Sequence, residues 1–190
     1  MIKPKYEHSD RDVIFTPDSV AKTLVQKIPA EPKDSWCDPC YGKGAFFNNF
    51  PTDNKEYYEI NMGKNFLPSI KKYDWLVTNI PFSKPKEFLF KMAECAKKGF
   101  GILCLANSVT ANRLSVLGEM GFYLYNLTVL YIKDWGFGYR TDFHIFTRNK
   151  SSAFDVIIHG AQNNNEELKN NTQQPQVPIQ GSLFEKNTEL

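Results

Sequence analysis

Three stretches of the sequence bring together residues whose types and spacing can do chemistry. The first is Asp38-Pro39-Cys40-Tyr41-Gly42-Lys43-Gly44-Ala45-Phe46. Two glycines one residue apart let a backbone turn sharply and approach a ligand with no β-carbon in the way. A helix opening at such a turn favours an anionic group at its exposed amides. Glu59 follows about twenty residues on, where an acid can accept hydrogen bonds from ribose hydroxyls. Taken alone, the glycine pair reads equally well as an ordinary turn between strand and helix. The second stretch is Asp74 to Phe82, a buried strand that ends in a polar-proline-aromatic turn, Asn79-Ile80-Pro81-Phe82. By itself that is a strand end with a buried aromatic. The third is Cys37 and Cys40, whose spacing suits zinc or redox chemistry. Cys95 and Cys104 stand alone, however, and His8, His144 and His159 are scattered. No metal site is expected.

The elements that must hold these residues alternate between strand and helix. Thr16 can cap a helix whose first position is Pro17, and Val20, Leu24, Val25 and Ile28 fall on one face at helical spacing. Strand patterns follow at Ser35 to Asp38, Tyr57 to Ile60, Trp75 to Thr78 and Ile102 to Ala106. Helices are expected at Ala45 to Asn49, Glu87 to Lys97 and Ser108 to Met120. Beyond Gly121 the chain is β-rich. Tyr123 to Ile132 and Phe143 to Thr147 should pair antiparallel across the Trp135-Gly136-Phe137-Gly138 loop. This order predicts a doubly wound, Rossmann-like α/β sheet, mostly parallel with an antiparallel edge strand. In such sheets ligands bind at the carboxyl ends of the strands, which is where the first two motifs fall.

The succession of motifs resembles that of the amino-group methyltransferases, and in particular the N6-adenine DNA methyltransferases. In that family an acid-proline pair precedes two variable residues and then G-x-G-x-F, and an N-P-P-[YFW] tetrapeptide follows at about the spacing found here. The resemblance covers residues 13 to 150 and implies S-adenosylmethionine as cofactor. Asp38, Pro39, Gly42, Gly44 and Phe46 would then wrap its methionine and ribose parts, and Glu59 would take the ribose. Asn65 and Phe66 stand where the family has an acid and an apolar residue against the cofactor's adenine. Phe15, Thr16 and Pro17 resemble a further motif, which lines the methionine end. Asn79, Ile80, Pro81 and Phe82 would be catalytic. An exocyclic amine is a poor nucleophile because its lone pair is delocalised into the ring. Two acceptors, the Asn79 side-chain oxygen and the carbonyl of residue 80, would draw the nitrogen towards tetrahedral geometry and stabilise the charge that develops. Phe82 would stack on a base turned out of the duplex. Ile80 replaces the family's first proline, which removes one rigid φ angle but keeps the carbonyl.

The bulk properties fit this picture. The chain has 190 residues, of which 42% are hydrophobic and 14% aromatic, and its net charge is +2. Residues 1–160 form the expected methyltransferase domain. Residues 161–190 form a polar tail that cannot bury enough apolar surface to offset its ordering entropy. Setting aside the two lysines and four acids from Gly160 onward, 21 basic and 17 acidic residues remain, a net of +4. That balance is compatible with DNA as partner. Lys84, Lys86 and Arg140 are candidate phosphate contacts in substrate binding. Within the tail, Gln180, Ser182, Leu183 and Phe184 resemble the peptide that docks on the replicative sliding clamp, two apolar anchors with a glutamine fixing register. No apolar run is long enough for a membrane span, and the charged start does not read as a signal peptide. A cytoplasmic protein of a bacterial or phage-infected cell is expected. The alternatives are a protein glutamine or RNA adenine methyltransferase, or an inactive DNA-associated binding protein of the same fold.

Overall fold

The computed structural model describes residues 14–133, 135 and 140–149, and the backbone of 153–159. The first described element is helix α1 (Asp18–Val25), followed by strand β1 (Trp36–Asp38), α2 (Ala45–Asn48), β2 (Lys55–Tyr57) and β3 (Tyr73–Asn79). Then come α3 (Pro85–Cys95), β4 (Ala96–Leu105), α4 (Ala111–Glu119), β5 (Tyr123–Ile132), β6 (Thr141–Thr147) and β7 (Ala153–His159). The seven strands form one sheet in the order β2-β1-β3-β4-β6-β5-β7. β1 pairs parallel with β2 on one side and with β3 on the other. β3 pairs parallel with β4, whereas β6 runs antiparallel to both its neighbours, β4 and β5.

The expected mostly parallel α/β sheet is therefore present, and so is the expected β5–β6 hairpin. Its antiparallel strand lies inside the sheet rather than at the margin. β5 adds outside β6, and β7 then adds outside β5 in parallel. A chain that leaves β4 through α4 and returns as a hairpin can fill the nearer slot with either arm. Here the second arm takes it.

Alternating side chains supply a core on each face. Trp36, Trp75, Val77, Leu103, Phe143 and Ile145 meet Val20, Leu24, Val25, Phe46 and Phe50 from the α1 and α2 side. Leu76, Phe100, Ile102, Cys104 and Phe146 meet Leu89, Met92 and Leu117 from α3 and α4. Each such aliphatic or aromatic side chain contributes about 1.5–3 kcal/mol by leaving water. Two local expectations are corrected. Pro17 is the residue before α1 rather than its first, and the Thr16 side chain caps nothing: the cap position makes no side-chain hydrogen bond. The α1 start is held instead by Pro17's own carbonyl, which accepts from Val20 and Ala21. Glu59 does not end β2, which stops at Tyr57; it begins a 3-10 turn, Ile60–Met62. No described helix is long and apolar enough to cross a membrane. The tail, with Gln180, Ser182, Leu183 and Phe184, lies outside the described residues.

Candidate active site

Because β1 connects to β2 on one side while β3 lies on the other, the loops that follow β1 and β3 diverge and leave a crevice between them. Asp38 ends β1 and Thr78 is the penultimate residue of β3. Thr78 Oγ1 donates to Asp38 Oδ1 at 2.6 Å, clasping the roots of the two loops. The crevice opens into a cleft of about 570 Å³, within the usual range for small-molecule sites. One wall holds Phe15, Thr16, Pro39, Gly42, Phe46 and Glu59. Asn79, Ile80, Pro81 and Phe82 form another part of the same lining, as do Asn65, Phe66 and Lys84. Residues read from the sequence as two motifs thus face one space.

Five of the sequence candidates do not line it. Asp38 is fully buried at the end of β1, and Gly44 and Pro17 are not among the lining residues. Lys86 is an exposed residue near the start of α3. Arg140 is engaged by Asp142, from Nε to Oδ1 at 2.9 Å and Nη2 to Oδ2 at 2.7 Å. Conversely, sequence reasoning did not single out Ile14, Lys43, Ile60, Met62 or Lys64, all of which line the cleft. Ile60 and Met62 are exposed apolar residues that follow Glu59 directly. An acid leading into large apolar residues on a polar turn was the available signal.

The glycine turn owes its shape to backbone conformation. Gly42 and Gly44 have φ of 54° and 82°, a region that costs other residues dearly. A β-carbon at Gly44 would lie 2.8 Å from the Tyr41 ring. Two amides of this turn are not held out for a ligand as expected. Gly42 N donates to Glu59 Oε2 at 2.8 Å, and Gly44 N donates to the Tyr41 carbonyl at 2.7 Å. α2 has only four residues, too short to add a useful dipole. Glu59 Oε1 also accepts from Asn61 N at 3.0 Å, so this carboxylate ties the glycine turn to the 3-10 turn while remaining on the cleft wall. Asn65 Oδ1 accepts from Leu67 N at 3.1 Å, which fixes its side chain in a local turn. Phe66 is buried, edge-on to Tyr58 and stacked on Phe88.

Burial raises the Asp38 carboxyl to about 7, against the lowering effect of the bonds from Thr78 and from Cys40 N. Its Oδ2 accepts from no described residue. Burial also pushes the Cys40 thiol well up, so it stays protonated. Among the described residues no three His, Cys, Asp or Glu side chains come together as a metal ligand set.

At the end of β3 the Asn79 amide is oriented. Nδ2 donates to the Ile14 carbonyl at 2.9 Å, whereas the buried Oδ1 accepts from no described residue. Ile80 stands where the motif this turn resembles has proline, and it is held by other means. Its N–H donates to the Leu103 carbonyl at 3.2 Å, a bond proline cannot make. Its side chain is buried in the core beside Phe88 and Phe66. A hydrogen bond to β4 and a packed side chain thus fix the turn in place of a ring. Phe82 is half-buried and meets Trp135 edge-on, with centroids 6.3 Å apart.

No protein-family model matches the sequence, and no curated protein matches it. Solved structures match the fold. The M protein of the type I restriction enzyme EcoKI aligns at 15% identity over 76% of this chain and 48% of its own, with a TM-score of 0.56. A candidate class I S-adenosylmethionine-dependent methyltransferase from Listeria monocytogenes gives 0.56 at 12% identity, over 76% and 65% of the two chains. A candidate RNA methyltransferase from Pyrococcus horikoshii gives 0.53 at 15% identity, over 74% and 83%. The chain spans about half the length of the EcoKI protein. It has the Rossmann-like fold of these methyltransferases.

Proposed function

We propose that this chain is an S-adenosylmethionine-dependent methyltransferase acting on the N6 amine of adenine in DNA. The observation that carries the reading is Asn79: a residue on the lining of a cleft it shares with the glycine turn, whose side-chain oxygen is buried without a described partner. A buried acceptor left unpaired costs roughly 1–3 kcal/mol, and a substrate N–H would supply the missing donor. The cofactor fits the same lining. Glu59 would hold its ribose, Gly42 and Phe15 would flank its methionine end, and Asn65 with Phe66 would border its adenine. When bound, it supplies an electrophilic methyl on a sulfonium.

The protein's own work is then electrostatic and geometric. Asn79 Oδ1 and the Ile80 carbonyl accept from the two hydrogens of the target amine. That draws electron density onto nitrogen and stabilises the positive charge that develops there. Phe82 offers a ring face or edge to the base. The cationic side chains Lys43, Lys64 and Lys84 at the cleft, against the single carboxylate of Glu59, favour a polyanionic substrate. Lys86 and Arg140 would reach phosphates farther out, and the Gln180 to Phe184 peptide would tether the enzyme at a sliding clamp.

The test is transfer of label from S-adenosylmethionine to unmethylated DNA, with the nucleosides resolved after digestion. Label in N6-methyl-2′-deoxyadenosine is expected, together with a loss of about 10²–10³-fold in Asn79→Ala. Label only in RNA would move the substrate to RNA adenine, a reading favoured by the Pyrococcus horikoshii fold match. Label on glutamine in protein would move it to an amide. Absence of label and of S-adenosylhomocysteine binding would leave a binding protein of this fold.

A further inference from the structure

Ile14, Phe15 and Thr16 line the cleft, and side chains from two distant elements hold this segment at adjacent carbonyls. Asn79, at the end of β3, donates to the Ile14 carbonyl at 2.9 Å. Trp135, in the connection between β5 and β6, donates through Nε1 to the Phe15 carbonyl at 3.1 Å. The Trp135 ring also abuts Phe82. Phe15 itself lies against Gly42, with its ring 3.5 Å from where a β-carbon would be, and under the Lys43 ammonium at 4.3 Å. One indole therefore touches the aromatic of the tetrapeptide and grips the segment that the Asn79 amide reads.

We propose that Trp135 is a positioning residue that decides which end of the Asn79 amide faces the cleft. The proposal rests on the reading of Asn79 as an acceptor for a substrate amine. A carboxamide carries an oxygen and an NH2 of nearly the same shape, and either can occupy either place. A backbone carbonyl only accepts, so Ile14 selects the NH2 and leaves Oδ1 for a donor. That selection lasts only while the Ile14 carbonyl stays where it is. On one side the segment is anchored by Pro17, whose carbonyl opens α1. Beside Ile14 it is anchored by the indole bond. Removing that bond frees the Phe15–Thr16 peptide and lets the neighbouring Ile14 carbonyl turn. The Asn79 amide then loses its reference and samples the orientation in which NH2 would face an amine that it can only repel.

Trp135→Phe removes the N–H and keeps an aromatic ring beside Phe82, and Trp135→Ala removes both. In the full chain labelled with nitrogen-15, the Asn79 side-chain NH2 signal is assigned by its disappearance in Asn79→Asp. Its exchange with water is expected to be slow in the wild type and about tenfold faster in Trp135→Phe, on the scale of one lost hydrogen bond. Single-turnover methyl transfer to DNA should slow by about the same factor. Affinities for S-adenosylhomocysteine and for DNA should hold within about twofold, and the Tm should fall only by the few degrees that one hydrogen bond is worth, because the ring contact survives. Trp135→Ala should in addition weaken DNA binding. Equal exchange rates in Trp135→Phe and wild type overturn the proposal, as does a rate loss wholly matched by weaker binding of S-adenosylhomocysteine or DNA. If exchange responds but the wild type labels no nucleic acid, the orienting role stands and the activity assignment is what fails.

Discussion

Replacing Asp38 by asparagine tests a carboxylate whose charge burial disfavours. The side chain is fully buried, keeps Thr78 and Cys40 N as donors to Oδ1, and titrates near 7 instead of 3.8. The native state therefore holds a proton that the unfolded chain releases at much lower pH. A raised native pKa adds stability that is full below about 3.8 and is lost as pH climbs to about 7. The whole span, some three pH units, corresponds to about 4 kcal/mol. Between about pH 5 and about pH 8 the wild type should lose about 2–3 kcal/mol relative to Asp38→Asn, which mimics the protonated acid at every pH. Urea unfolding of both proteins at those two pH values measures the difference directly. A variant that is less stable than wild type at the higher pH, or a gap that does not widen with pH, would refute the reasoning. On the methyltransferase reading the variant has a cost. A cationic cofactor near Asp38 would favour its ionised form, so wild-type affinity should rise as pH climbs towards about 7 and level off above it, while the variant's should stay flat.

Two further substitutions probe the walls. Gly44→Ala should destabilise by about 1–2 kcal/mol and weaken cofactor binding, because it combines a left-handed φ with a clash against Tyr41. Gly63→Ala shares the left-handed φ of 75° but meets nothing within 4 Å, so its smaller loss in thermal unfolding isolates the steric part. At the opposite ends of the strands, burial works to raise Asp34. The Lys98 ammonium, Glu31 N and Trp75 Nε1 outweigh it and hold the carboxyl below its usual range. That stability is present above the ordinary carboxylate pKa and is lost as pH falls through the depressed one. Lys98→Met should therefore start acid unfolding at higher pH, with only a modest loss near neutrality because Lys98 is partly exposed. Urea unfolding from about pH 3 to about pH 7 follows it.

What could be read from sequence was what is local. The glycine run and the Asn79–Phe82 turn were legible because each is specified by a few consecutive residues. Their convergence followed from the rule that loops at a switch point share a crevice. The slot taken by β6 was not legible, since Tyr123–Ile132 and Thr141–Thr147 are both apolar enough to sit next to β4. β7 fell where no strand pattern had been recognised, and only its backbone pairing with β5 reveals it. Side-chain commitments were also hidden. Sequence spacing puts Glu59 in reach of a ribose but does not say that Gly42 N and Asn61 N already occupy part of it. Ile80 looked like a loss when compared with proline, because the carbonyl of Leu103 that answers its N–H lies on another strand.

That last bond also sets when the site can come into being. Leu103 is far enough downstream that a chain emerging from the ribosome exposes Asn79-Ile80-Pro81-Phe82 well before the strand that steadies it. The turn must stay loose during that interval, with its Ile80 side chain in water rather than in the core. The Asn79–Phe82 turn is fixed only when β4 docks, a step later than its own emergence.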